Sequence, residues 1–429
     1  MKKSCRIIAF FLSCLSSIGC YAGVTIEECV EKAMSNYPLV RKYGLMEATK
    51  DIELSDINKG WLPRVGIYAQ ATAQNVVPSF PETLTGVLNQ MGQDVRGLGK
   101  MQYKLGVDVS QTIWDGGVSK AKRELIRSQD AISRASLDVE LYSLRERVEN
   151  IYFAVLLTEE QIAQCRVTQK VLENNLDKLR SMLRNGVAMQ SDIDMVEAQS
   201  LELNQKIVQA QSALKGYKRV LELFMGESLG GKEFVRPAGE IPSDLKSNRA
   251  ELKLFDIRVA ANQAAERLSK TSMLPKIGLF AQAYYGYPGF DYFQSMMNRN
   301  LSFNILAGVK ISWDLHSLYT KKNISKRTSV NIEDVIADKD LFLFNSNIQT
   351  NSQLETIEGL KDMMREDGRI INLRSNVRKA AESQLNNGVI DATTLLTKIS
   401  DENLAELTAK FHEIQLIQEI YKLKYILDR

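Results

Sequence analysis

At 429 residues with 44% hydrophobic side chains, the chain has material for more than one ordinary core. Its 55 Lys and Arg against 52 Asp and Glu leave a formal charge of +3, without the basic excess that phosphate backbones require, so nucleic acid is not expected as a partner. The two histidines, His316 and His412, stand far apart and show no close His or Cys spacing of a zinc site, so neither a metal site nor a cofactor is expected.

In chain order, Lys2, Lys3 and Arg6 precede an apolar run from Ile7 to Leu15, and Cys20-Tyr21-Ala22 follows. This is the pattern of a bacterial export signal over residues 1–22, too short to span a membrane. Cleavage after Ala22 fits the small-x-small rule and is the preferred reading. Ser17-Ile18-Gly19-Cys20 also resembles a loose lipobox, in which Cys20 would become a lipidated first residue. Of the five cysteines, Cys5, Cys14 and Cys20 belong to the signal region, leaving Cys29 and Cys165 on predicted helices. Cys165 reads as a small apolar filler, and a disulfide between the two stays open. Beyond the signal no run of about eighteen apolar residues occurs, so the chain could cross a membrane only as a closed barrel.

Thr25-Ile-Glu-Glu28 is a capping box opening a first helix, and Pro38 begins a second that ends near Trp61. A strand is predicted at about 64–74, where Val65, Ile67, Ala69 and Ala71 alternate with Gly66, Tyr68, Gln70 and Thr72. Another follows at about 103–113, with Leu105, Val107 and Val109 on one face and Gly106, Asp108, Ser110 and Thr112 on the other. After Gly116-Gly117, neither Gly nor Pro occurs from Val118 through Asn185, which predicts a helix of about 100 Å at ~1.5 Å per residue. Its stripe of Leu137, Leu141, Leu144, Val148, Ile151 and Val155 alternates steps of four and three, a seam for packing against another helix. Asn185-Gly186 supplies a left-handed cap to a turn at 185–188, and Ser191 or Asp192 restarts a helix running to about Met225.

The pattern then repeats. Residues 237–248, rich in Pro, Gly and Ser, join a first copy, 23–236, to a second, 249–429. Leu62-Pro-Arg-Val-Gly-Ile-Tyr-Ala-Gln-Ala71 matches Leu274-Pro-Lys-Ile-Gly-Leu-Phe-Ala-Gln-Ala283, Gly106-Val-Asp-Val-Ser110 matches Gly308-Val-Lys-Ile-Ser312, and Asn185-Gly-Val187 matches Asn387-Gly-Val389. The first copy is ten residues longer between its strands, which marks a surface loop there. In the second copy a helix is predicted from Arg249 to Ser272 and strands at about 276–286 and 303–313, where Ala307, Val309, Ile311 and Trp313 oppose Lys310 and Ser312. A long helix runs from about Leu318 to Asn386, turns at 387–390, and returns from about Thr393 to Asp428. Gly359 and Gly368 are expected to interrupt and bend this helix. His316 reads as a strand-end residue rather than a ligand. Weak alternation in strands of about ten residues suits a barrel with lipid outside and water inside. A soluble one-sided sheet would show it too, and the export signal favours the barrel.

These residues resemble the bacterial outer-membrane factors of TolC type over essentially the whole mature chain. The resemblance is carried by Thr25-Ile-Glu-Glu-Cys-Val-Glu-Lys-Ala33 with Asn36-Tyr-Pro38, the Leu-Pro strand starts at 62 and 274, Ser110-Gln-Thr-Ile-Trp-Asp-Gly-Gly117, Asn248-Arg-Ala-Glu-Leu252 and the two Asn-Gly-Val turns. It implies a mainly helical fold with β-structure: two repeats, each of two membrane strands and a very long helical hairpin. It further implies a homotrimer in which four strands per subunit make one twelve-stranded barrel in outer-membrane lipid of a Gram-negative bacterium, above a periplasmic helical tunnel. The implied activity is a passive duct for efflux or type I secretion. The implied partners are a periplasmic adaptor (membrane fusion protein) and an inner-membrane pump of the RND, ABC or MFS type. The adaptor-contacting tips map to Asn185, Gly186, Val187 and Ala188, and to Asn387, Gly388, Val389 and Ile390. Gate acids of such channels find Asp192 and Glu382 near the matching places, but Lys379 stands where some relatives carry another acid, and the second copy reads Trp313-Asp-Leu-His-Ser-Leu318 without paired glycines. Asp108 and Lys310 are the expected lumen charges. A soluble exported coiled-coil scaffold or adaptor is the competing reading. An enzyme is not expected: no Ser/His/Asp set or phosphate loop is present, and Gly230-Gly231 lacks the spacing of a P-loop.

Overall fold

The structure is a computed structural model that describes residues 23–92, 95, 97–186 and 188–429. The export-signal residues, Cys20 among them, and the tip residue Val187 lie outside the described residues. The elements in order are α1 (Ile26–Asn36), a 3-10 turn at Pro38–Val40, α2 (Arg41–Lys59), β1 (Arg64–Ala73), α3 (Glu82–Gln90), β2 (Met101–Trp114), α4 (Val118–Arg184), α5 (Gln190–Met225), α6 (Ala250–Thr271), β3 (Lys276–Tyr287), α7 (Tyr292–Met297), β4 (Ser302–Ser312), α8 (His316–Asn386) and α9 (Ala392–Leu427). No described helix is long and apolar enough to cross a membrane.

Two compact units emerge, and each draws on both halves of the chain. One comprises residues 43–135 and 253–339 and contains the sheet. Its four strands form an antiparallel meander in the order β1-β2-β3-β4, so β1 and β4 each keep one unpaired edge. Asp115 caps α4 by accepting from the backbone N–H of Gly117 (2.9 Å) and Ser119 (2.6 Å), with Gly116 and Gly117 in the left-handed region. At the equivalent junction Asp314 accepts from the N–H of His316 at 3.0 Å. His316 is therefore the first residue of α8 rather than the end of a strand, because the Asp314 cap starts the helix without needing glycines.

The loops between paired strands are not plain coil. α3 and α7 lie in them, and Phe80 stacks on Phe293 at 5.5 Å beside a small core of Leu98, Tyr287 and Met296. The Tyr287 hydroxyl accepts from the N–H of Gly99 at 2.7 Å, tying the two loops together.

The other unit comprises residues 23–42, 136–252 and 340–429 and holds the larger cores. α1 is capped by Thr25, whose hydroxyl accepts from the Glu28 N–H at 3.2 Å. Its face of Ile26, Cys29 and Ala33 packs on Leu144, Val148, Tyr152, Phe153 and Val155 of α4, with Leu221 of α5 and Ile414 of α9. Tyr152 is fully buried, and its hydroxyl lies 2.7 Å from the Val24 carbonyl and 2.6 Å from that of Val235, where the two segments meet in a parallel bridge between Val24 and Phe234. A second core, Leu172, Leu176 and Leu179 against Ile193 and Val196, joins α4 to α5 near their turn. Cys29 and Cys165 are both free thiols in different cores, so the disulfide left open above is not formed. Burial pushes the Cys29 thiol up to about 12, which keeps it protonated and inert. α8 continues as helix through Gly359 and Gly368, contrary to the expected interruption: a Gly costs about 1 kcal/mol within a helix, too little to end one of 71 residues.

Candidate functional site

Cα partners across a sheet share a face, so the strand register sorts every side chain. Val65, Val109, Ala281 and Ala307 form one row, Ile67, Val107, Ala283 and Ile305 the next, and Ala69, Leu105, Tyr285 and Phe303 a third. Leu279 with Val309 and Ile277 with Ile311 extend this face toward the helix junctions. The result is one continuous apolar face. It is not covered: Ile67 is 79% exposed, and Leu105, Tyr285, Phe303, Ile305, Val309 and Ile311 are exposed as well. A solvated sheet of this size would be an aggregation hazard, so the face needs an apolar covering. Aromatic residues mark its two ends, with Tyr103, Tyr285 and Phe303 toward the loops and Trp114 and Trp313 beside the helix junctions.

The opposite face takes every charged residue of the four strands: Arg64, Lys104, Asp108, Lys276 and Lys310. Here glycines are overlaid by rings. A Cβ on Gly106 would come within 2.8 Å of the Tyr68 ring, and one on Gly308 within 3.0 Å of the Phe280 ring, so the aromatic side chains fill the space the glycines leave. Gln282 donates to the Tyr68 hydroxyl at 3.0 Å, and the Lys104 ammonium sits 4.9 Å from the Tyr284 ring centre. Asp108 and Lys310 share this face but stand in different rows, since Asp108 pairs with Gln282 and Lys310 with Gly278. Arg64 and Lys276 were not singled out by sequence reasoning. Each opens its strand, and only the register across β2 and β3 shows that they join Lys310 on one face.

The helical turns are a separate candidate site. Gly186 (φ +78°) and Gly388 (φ +71°) both occupy the left-handed region. At the second turn the N–H of Gly388 donates to the Leu385 carbonyl at 3.0 Å and that of Val389 to Gln384 at 2.9 Å, the paired bonds of a Schellman cap. The Gly186 N–H donates likewise to Leu183 at 3.0 Å. Nothing lies within 4 Å of where a Cβ would stand on either glycine, so the turns have room for a side chain but not the backbone for one. Val389 is 69% exposed, an apolar side chain held out at a tip.

Two of the candidate gate charges have local partners. Asp192 accepts from the Met189 N–H at 2.9 Å and so caps α5. Glu382 accepts from Arg378 at 2.7 Å, and Arg378 also bonds Glu402 of α9, so the acid is tied into a three-residue ion-pair network across the hairpin. Lys379 is exposed. Asp391 starts α9 by accepting from the Thr394 N–H at 2.8 Å, and hydrogen bonds from Thr394 hold its carboxyl below the usual range.

A four-stranded meander carrying two long helical hairpins is the fold of outer-membrane channel proteins. The chain superposes on the outer membrane protein VceC of Vibrio cholerae with a TM-score of 0.63 at 13% identity, covering 94% of each chain. Against the CmeC outer membrane channel of Campylobacter jejuni the TM-score is 0.63 at 12% identity, over 95% of this chain and 86% of that one. The MtrE outer membrane channel of Neisseria gonorrhoeae, solved in its open state, gives 0.62 at 15% identity, over 93% and 88%. No protein-family profile matches the chain, and no curated protein matches it in sequence.

Proposed function

We propose that the chain is one subunit of a TolC-type outer-membrane channel, a passive duct for efflux or secretion rather than an enzyme. The observation that carries this reading is the exposed apolar face backed by a face that takes every strand charge. That is the two-sided pattern of a barrel wall between lipid and water. Along β4 the stretch from Phe303 to Trp313 runs about 33 Å at ~3.3 Å per residue. Tilted by 35–45°, it spans about 25 Å, the height of an outer-membrane hydrocarbon band with an aromatic residue at each rim.

The open edges of β1 and β4 give the assembly its logic. In lipid each unpaired backbone group costs several kcal/mol, so the four strands must close with those of other copies. Because the strand number is even, β4 of one copy meets β1 of the next antiparallel, and a ring of copies closes without an edge. Three copies would give the twelve-stranded barrel implied by the resemblance.

A second surface supports the same reading. On α8, Leu341, Phe344, Ile348, Met363, Ile370, Leu373 and Val377 are all exposed and fall on one stripe at the helical period. A neighbouring copy in the ring is the occupant this stripe suits. The tips at Asn185 to Ala188 and Asn387 to Ile390 are then the adaptor contacts, the pump supplies the energy, and Asp192, Glu382 and Lys379 lie at the gated end. Gentle lysis followed by fractionation tests the reading: the protein is expected in the outer-membrane pellet, released only by detergent. Recovery in the soluble periplasmic fraction would favour the coiled-coil scaffold instead.

A further inference from the structure

Resting on the channel reading, we infer that the duct selects anions, and that Arg64, Lys276 and Lys310 form an anion-binding cradle at the helix-side mouth of the barrel. The polar face carries four cations and one carboxylate, a net charge of +3 per copy contributed by Arg64, Lys104, Lys276 and Lys310 against Asp108. Three of the four cations are not spread along it. Arg64 lies in the row of Ser110, Lys310 in the adjacent row with Gly278, and Lys276 in the row after that, opposite Ser312. These are successive rows at the end where every strand meets a helix. A single concavity of ≈ 260 Å³ takes in all three cations together with the hydroxyl residues Ser110, Thr112 and Ser312.

Two features distinguish this from an ordinary solvated charge cluster. First, among the described residues none of the three cations has a carboxylate within ion-pair distance, although ion pairs are abundant on the helices next to them, such as Arg267 with Glu124 at 3.2 Å and Lys339 with Asp256 at 2.7 Å. Asp108, the sole strand acid, stands one row beyond Arg64 and away from the other two. Second, the donors are of complementary kinds: guanidinium and ammonium supply charge, and the hydroxyls supply neutral hydrogen bonds that carboxylates and phosphates accept. Closing the strands into a ring repeats the cradle around the lumen, where a low-dielectric wall focuses the field of like charges and raises the local anion concentration. The cargo class this favours is small carboxylate- or phosphate-bearing molecules.

The test is the reversal potential of the full-length protein in a planar bilayer across a potassium chloride gradient. Wild type is expected to pass chloride over potassium by about threefold or more at low ionic strength, the preference shrinking in concentrated salt. The triple variant R64Q/K276Q/K310Q is expected to lose the preference, and K310Q alone to shift it in the same direction. Asp108→Asn should increase it. Inorganic tripolyphosphate added to one side should reduce the wild-type current and leave the triple variant's unchanged. A conducting channel that prefers potassium, or whose permeability ratio is the same in wild type and both glutamine variants, overturns the inference alone. Wild-type protein that inserts and passes no current defeats the channel reading as well.

Discussion

α4 and α8 are the same element met twice, each a helix of about seventy residues that leaves a strand and turns at an Asn-Gly pair, yet they bury different things. α4 sinks Leu144, Val148, Tyr152, Phe153 and Val155 into a core shared with three other helices, and farther along it adds Leu172, Leu176 and Leu179. Between 340 and 377, α8 buries only Ser346, Thr350, Ile357 and Leu360, a narrow seam in which Ile357 packs on Ile420, Leu423 and Leu427 of α9, while larger side chains line its opposite, exposed face. The two hairpins are alike in length and in their Asn-Gly turns. One is packed into the core, and the other leaves an apolar face exposed, the face proposed above to meet a second copy.

The largest expected effect comes from striking the buried member of this pair. Tyr152→Ala removes a fully buried ring and the one hydroxyl proton shared between the Val24 and Val235 carbonyls, at a cost of about 3–5 kcal/mol. Heat or protease should melt the helical signal at distinctly lower temperature. The comparison breaks if the variant is as stable as wild type.

Next is the exposed member. Phe344→Glu forfeits about 1.5–3 kcal/mol of burial per copy in an assembly but nothing in a lone chain, where Phe344 is 64% exposed. Circular dichroism should be unchanged while crosslinking yields fewer multimers. Unaltered multimer yield would mean that this stripe faces no partner.

The two turns sharpen the comparison further. Gly388→Val forces a β-branched residue to φ +71°, a strain of about 1–2 kcal/mol confined to the tip. Assembly should survive while tolerance of the toxins that the deletion strain fails to resist is lost. Full tolerance would separate the tip from adaptor contact.

The smallest effect is acidic loosening of the α9 cap. Asp391 has its folded pKa lowered by Thr394, so the cap is fully stabilising above the ordinary carboxylate range and is lost as pH falls through the lowered value. Amide exchange at Thr394 should accelerate in acid for wild type relative to Asp391→Asn, whose cap does not titrate. Equal pH dependence in the two would remove Asp391 as the cause.

The fold class, mainly helical with a small sheet, was legible because period-two alternation around Val65 and Val107 and a Gly-free run after Val118 are local signals. α3 and α7 were not. They are short: α7 spans six residues, its start marked by a single side-chain cap in which the Gln294 N–H donates to Asp291. The exposed stripe on α8 was hidden as well, since Ser352, Glu355, Gly359 and Glu366 fall among its apolar residues and blur the periodicity. Lys310 could be placed from its own strand, whereas its neighbourhood with Arg64 and Lys276 depends on long-range register that no single strand encodes.

Native mass spectrometry of the full-length protein extracted in detergent tests the central claim most directly. The expected result is a complex of three copies that is recovered only with detergent and falls to single chains on heating. A single chain that stays in solution without detergent would contradict it, because the apolar sheet face and the edges of β1 and β4 would then have neither lipid nor neighbour to cover them.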